Sequence, residues 1–130
     1  MIPRLVYDVM VKHCDLEKPI EACGVLSGKA GIVTRCYPVA NKAKSSTRYE
    51  MEPEDQLRVM TDVGNRGEDL IAIYHSHPDS PAYPSPTDIQ LAYYPDSYYV
   101  IVSLVGAQPE VRAFQIAFGA ALEIRIQMGA

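Results

Sequence analysis

Leu70-Ile71-Ala72-Ile73-Tyr74-His75-Ser76-His77 is the stretch on which the reading of the fold turns. Its first five residues form a short, unbroken apolar run, which suits a strand covered on both faces and so central to a sheet. Two histidines follow with one residue between them. In an extended chain, residues two apart project to the same side, so both imidazoles leave the strand end in one direction.

Working outward, Pro3 suits a first helical turn, and Leu5, Val6, Val9, Met10 and His13 recur at helical spacing to about residue 17. Residues 21–28 and 31–37 read as two short strands joined by a glycine-containing turn. A polar loop from Asn41 to Ser46 is followed by a short strand over Tyr49 to Met51. Pro53 then opens a helix with Leu57, Met60 and Val63 on one face, ended by Gly64 to Gly67. After a proline-rich stretch, a further helix carries Ile89, Leu91, Ala92 and Tyr93 up to Pro95. Tyr98 to Val105 is strongly β-prone. Leu122, Ile124, Ile126 and Met128 alternate with polar residues, as in a strand with one buried and one wet face. This order predicts a mixed sheet covered by helices, of α/β or α+β class, in a single domain over residues 1–130.

The composition excludes several classes of function. The 130 residues are 48% hydrophobic and 22% charged, which is globular rather than disordered or fibrous. The net charge is -4 with the 12 Lys and Arg scattered, so no nucleic-acid partner is expected. Apolar runs fall short of the ~20 residues that span a bilayer, so no membrane association and a cytoplasmic location are expected. Cys14, Cys23 and Cys36 are odd in number and lack Cys-x-x-Cys spacing, which points to reduced thiols.

Chemistry gathers around the two histidines. Ser85-Pro86-Thr87-Asp88 reads as a helix start, with Ser at the cap, Pro at the first helical position and Asp in the first turn, facing back toward the strand end. Two imidazoles and one carboxylate suit zinc, and three protein ligands leave a fourth position for water, as in catalytic sites. Such a site also needs a base to take the water's proton. The His-Glu-x-x-His helix that carries its own base is absent, so the base must come from elsewhere in the chain.

His75-Ser76-His77-Pro78, followed by Ser85 and by Asp88 with ten residues between it and His77, resembles the signature of the JAMM (MPN-plus) metalloproteases. Pro19-Ile20-Glu21-Ala22-Cys23-Gly24-Val25-Leu26-Ser27-Gly28 is similar to the family's first strand, and the likeness extends to Asn41 and to Tyr49 through Leu57. The resemblance implies a fold like that of cytidine deaminases, although the deaminase zinc motif is missing. It implies one Zn²⁺ held by His75, His77 and Asp88, Glu21 as general base, and Ser85 as a residue that helps stabilise the tetrahedral oxyanion. It further implies hydrolysis of the peptide or isopeptide bond after the C-terminal Gly-Gly of a ubiquitin-like sulfur-carrier protein, for example a carrier–cysteine conjugate. A homodimer is left open.

Plainer readings stand beside these. Ser85 can serve only as a helix cap, contributing about 1 kcal/mol, and Asp88 can merely complement the helix dipole. Cys23, two residues from Glu21 and on its face of a strand, can be a metal-proximal thiol or a small core residue. Asp79 can be a further oxygen near the metal or a solvated loop residue, and Tyr83 can line a substrate groove. A non-catalytic binding or scaffold module of this fold, or a zinc hydrolase acting on a small molecule, are the alternative functions.

Overall fold

The apolar run becomes strand β3 (Asp69–His77), with β1 (Cys23–Lys29) antiparallel on one side and β4 (Tyr98–Ser103) parallel on the other. The computed structural model describes residues 1–129. With β2 (Ile32–Val39), β5 (Glu110–Ala117) and β6 (Ala120–Ile124) these form one mixed six-stranded sheet in the order β2-β1-β3-β4-β5-β6. All pairs except β3–β4 are antiparallel. Tight linkage of β1 to β2 follows from Ala30 and Gly31, whose φ values of 52° and 76° supply the two positive angles a type I′ hairpin turn demands.

Helices cover both faces. On one side, α1 (Arg4–Glu17) sets Met10 and Cys14, one turn apart, against Leu26, Ala72, Tyr74, Val100 and Val102. On the other, α2 (Pro53–Asn65) sets Val59 and Val63 against Val25, Ile73, Ile101 and Phe114. The expected inward face of α2 is therefore rotated: Leu57 is exposed, and Val59 takes its place beside Val63 and the half-buried Met60 against the sheet. Adjacent β3 residues alternate between the two cores, so Tyr74 and Ser76 belong to the α1 side and His75 and His77 to the α2 side.

Four further expectations are corrected. The strand foreseen from residue 21 begins at Cys23, which leaves Glu21 just ahead of β1. Tyr49 to Met51 contributes only an isolated bridge between Met51 and Asn41. The helix foreseen up to Pro95 is the five-residue α3 (Pro86–Gln90), after which the chain turns so that Tyr94 N–H meets the Tyr99 hydroxyl. The last strand ends at Ile124 on a sheet edge, where β6 has a neighbour only in β5; Leu122 is exposed, and Ile124 and Ile126 pack against the α1-side core. Strand β5 escapes the sequence pattern, since Ala113 and Phe114 are buried on opposite faces and erase the alternation. No helix among the described residues is long and apolar enough to cross a membrane.

Candidate metal centre

At the C-terminal end of β3, His75 and His77 turn their Nε2 atoms toward each other at 3.1 Å. Both rings are buried. The loop leaving the strand is held by Ser103, whose hydroxyl donates to the Ser80 carbonyl at 2.6 Å. That loop returns the chain to Ser85, which caps α3: the Ser85 hydroxyl accepts from Asp88 N–H at 3.0 Å, and the Asp88 carboxylate accepts from Ser85 N–H at 2.9 Å. This reciprocal box fixes the Asp88 rotamer. Its Oδ2 thereby stands 3.0 Å from His77 Nε2 and 3.2 Å from His75 Nε2.

Three polar atoms thus crowd at one point, and their lone pairs decide what can lie between them. The Pro81 carbonyl lies 2.8 Å from His77 Nδ1, which makes that nitrogen the donor and turns the Nε2 lone pair inward. His75 has no such partner: its Nδ1 is buried without a hydrogen bond, and its ring is oriented by stacking on Tyr49 at 4.6 Å and 27°. Burial holds the His75 pKa below its ordinary value. For His77 burial acts the same way, but Asp88 and the Pro81 carbonyl outweigh it and raise the pKa. Burial pushes Asp88 up, yet its bonds to the two imidazoles hold it far below the usual carboxylate range. One cation satisfies all three atoms. In a tetrahedral zinc site with bonds of about 2.0–2.2 Å, ligand atoms lie about 3.3–3.6 Å apart. The observed triangle is within a few tenths of that, so the donor set fits zinc in size and in chemistry.

Glu21 lies two residues before the start of β1, opposite His77 when the antiparallel register that pairs Cys23 with His75 is continued. It is 3% exposed, and its Oε1 has no hydrogen-bond partner. Burial raises its pKa to about 8, with His77 pulling it down and Asp88 pushing it up. The other candidates resolve to packing or to the surface. Cys23 packs in the α2-side core with its thiol near the Val39 and Ala40 carbonyls, and burial pushes it up to about 12, so it stays protonated. Asp79 is exposed, and Tyr83 is exposed with its ring edge against Phe114. The stacking role of Tyr49 and the anchoring by Pro81 and Ser103 have no signal in the sequence, because each acts across a turn or between strands. A cleft of about 470 Å³ adjoins the centre, lined by Tyr49, Met51, Ile73, Leu91, Tyr94 and Tyr99.

A mixed sheet between helices, with two histidines and an aspartate gathered at a central strand end, defines the JAMM class of metallopeptidase. Residues 3–117 match the family model described as prokaryotic homologs of the JAB domain, and the chain belongs to that family. It is 40% identical over 119 residues to the CysO-cysteine peptidase of Mycobacterium tuberculosis, covering 89% of this chain and 82% of the relative. It is 36% identical over 119 residues to a probable TtuB-protein conjugate cleaving protease of Thermus thermophilus, covering 91% and 76%. The solution structure of protein DSY2949 from Desulfitobacterium hafniense superposes with a TM-score of 0.88 at 33% identity, covering 98% of this chain and 92% of that one.

Proposed function

We propose that this peptidase uses zinc held by His75, His77 and Asp88 to cut the bond after the C-terminal Gly-Gly of a ubiquitin-like sulfur-carrier protein, releasing cysteine or a lysine-linked partner. The observation that carries the reading is the convergence of three buried ligand atoms within 3.2 Å beside the unpartnered carboxylate of Glu21. Zinc supplies Lewis acidity there, lowering the pKa of water toward ~7 and polarising the scissile carbonyl. Glu21 takes the proton from the attacking water and returns it to the leaving nitrogen, a role for which a pKa near neutrality is suited. The Ser85 oxygen is used by Asp88 N–H, but its hydroxyl hydrogen is free to donate to the developing oxyanion.

The names of the relatives in Mycobacterium and Thermus support a carrier or a carrier conjugate as the substrate. Glycines suit a tail that must pass a crowded metal centre, since they carry no side chain. The sheet edges β2 and β6 lie two and three strands from β3, so such a tail would reach the metal over the strand ends rather than by extending an edge. The expected setting is the cytoplasm, consistent with the three free cysteines.

The test is a ubiquitin-like carrier fused through Gly-Gly to cysteine, incubated with zinc-loaded protein and analysed by mass spectrometry. Elemental analysis should give about one zinc per chain, and cleavage should fall after the second glycine. Replacing that glycine with valine should block it. Equal cutting of the valine fusion, or of unrelated unfolded peptides, would show a general peptidase instead.

A further inference from the structure

Asn41 is the residue of the motif-like region that the reaction leaves unassigned, and its amide uses every bond it can make. Its Nδ2 donates to the Glu21 carbonyl at 2.9 Å and to the Arg48 carbonyl at 3.1 Å. Its Oδ1 accepts from Ala43 N–H and Glu50 N–H, both at 3.0 Å. Two donors and two acceptors are the full capacity of a primary amide. The partners also fix its orientation, because a flipped amide would set NH₂ against two N–H groups. Aspartate keeps the acceptors and loses both donors, and alanine loses all four bonds.

Apart from Ala43, two residues along the same loop, these partners lie on two segments that both reach the metal centre. One is the backbone of Glu21, which is also tied through its own N–H to the Ser45 carbonyl at 2.8 Å and through Ala22 N–H to the Ser76 hydroxyl at 2.8 Å. The other is residues 48–50, whose middle member, Tyr49, stacks on His75. Ser45 and Ser76 hold the Glu21 segment alone, whereas Asn41 bonds both segments at once. We propose that Asn41 is a positioning residue for catalysis, setting the Glu21 carboxylate and the Tyr49–His75 stack in register through one saturated amide. The inference rests on the reading of Glu21 as the base.

The test uses zinc-loaded Asn41→Asp and Asn41→Ala proteins on the carrier–Gly-Gly–cysteine fusion. A small misplacement of a reacting group can cost on the order of 100-fold in rate. Turnover should accordingly fall roughly 10- to 100-fold in both variants, with KM within about two-fold and zinc still near one per chain. Hydrogen exchange should quicken over residues 19–23 and 48–51 while β3 stays protected. In a Glu21→Gln background, Asn41→Asp should cause little further loss, since residues acting as one unit are not additive. Asn41→Asp keeps both acceptor bonds, so it carries the test should the alanine variant not fold.

Wild-type turnover in Asn41→Asp beside an inactive Glu21→Gln protein would overturn the inference alone. So would a rise in KM at unchanged turnover, which would make Asn41 only a wall of the cleft, or a full multiplicative loss in the Glu21→Gln background. Wild-type turnover in Glu21→Gln itself would sink the reading of the base and this inference with it.

Discussion

The two sides of β3 treat buried polar groups in opposite ways. On the α1 side, the Tyr74 hydroxyl is 2.7 Å from His13 Nδ1 and accepts from the Cys36 thiol, so its partners are complete. Burial keeps His13 below its ordinary pKa, and its neutral ring can accept a hydrogen bond from the phenol. The backbone of Gly24 lies against the Tyr74 ring, where a Cβ would collide with it and with the Tyr37 carbonyl. On the α2 side, one residue further along the same strand, His75 Nδ1 and Glu21 Oε1 are buried with no partner, and three ligand atoms press together. A buried polar group without a partner costs about 1–3 kcal/mol. Satisfied polar groups stabilise a core, and unsatisfied ones gathered at a single point mark where the protein holds something other than itself.

The largest expected effect breaks the α2 side. Glu21→Gln should lower turnover by about 10²–10⁴-fold, while elemental analysis still finds one zinc and the melting temperature does not drop. Loss of zinc in this variant would mean that Glu21 shapes the metal centre rather than serving as its base.

A smaller effect appears in the metal-free protein, where Glu21 should make stability depend on pH. Its folded pKa of about 8 lies above that of an unfolded glutamate, so between roughly pH 4.5 and 8 the native state binds more protons than the unfolded one. Its contribution is complete at low pH and is lost as pH rises through about 8, with a total on the order of a few kcal/mol. Asp88, held low, acts in the opposite sense and weakens the fold only in acid. Urea titrations of chelator-treated protein from pH 5 to 8.5 should show this decline, and Glu21→Gln should flatten it. An equal slope in both proteins would assign the decline to other groups.

The smallest effect sharpens the α1 side. Tyr74→Phe removes a hydroxyl from a completed set and should cost about 1–2 kcal/mol by leaving His13 and Cys36 without it. Zinc content and turnover should remain at wild-type levels. Lost activity at unchanged stability would mean that the two sides of β3 are coupled rather than independent.

Much of the architecture was legible because it rests on local chemistry. The run from Leu70 to Tyr74 announced a covered strand, the spacing of His75 and His77 put both rings on one side, and Ser85-Pro86 with Asp88 two residues on reads as a capped helix start from residue types alone. The resemblance these residues carry also pointed to the family and to zinc. What did not show was whatever depends on distant segments meeting. The face of α2 is chosen by the sheet it lands on, so Val59 displaced Leu57. Strand β5 has no alternation because Ala113 packs into the α1-side core and Phe114 and Ile116 into the α2-side core, and α3 is cut short where Tyr94 N–H finds Tyr99.

The same division runs through the metal centre. The residue types and their order along the chain were set by the sequence, and no tertiary fact was needed to suspect them. That the three ligand atoms come within 3.2 Å, that Pro81 turns the His77 lone pair inward, that Tyr49 stacks on His75, and that Asn41 ties Glu21 to that stack were decided only by folding. Apart from the His75–His77 pair, those contacts join residues from 4 to 26 positions apart across turns and between strands, and no local periodicity encodes such distances.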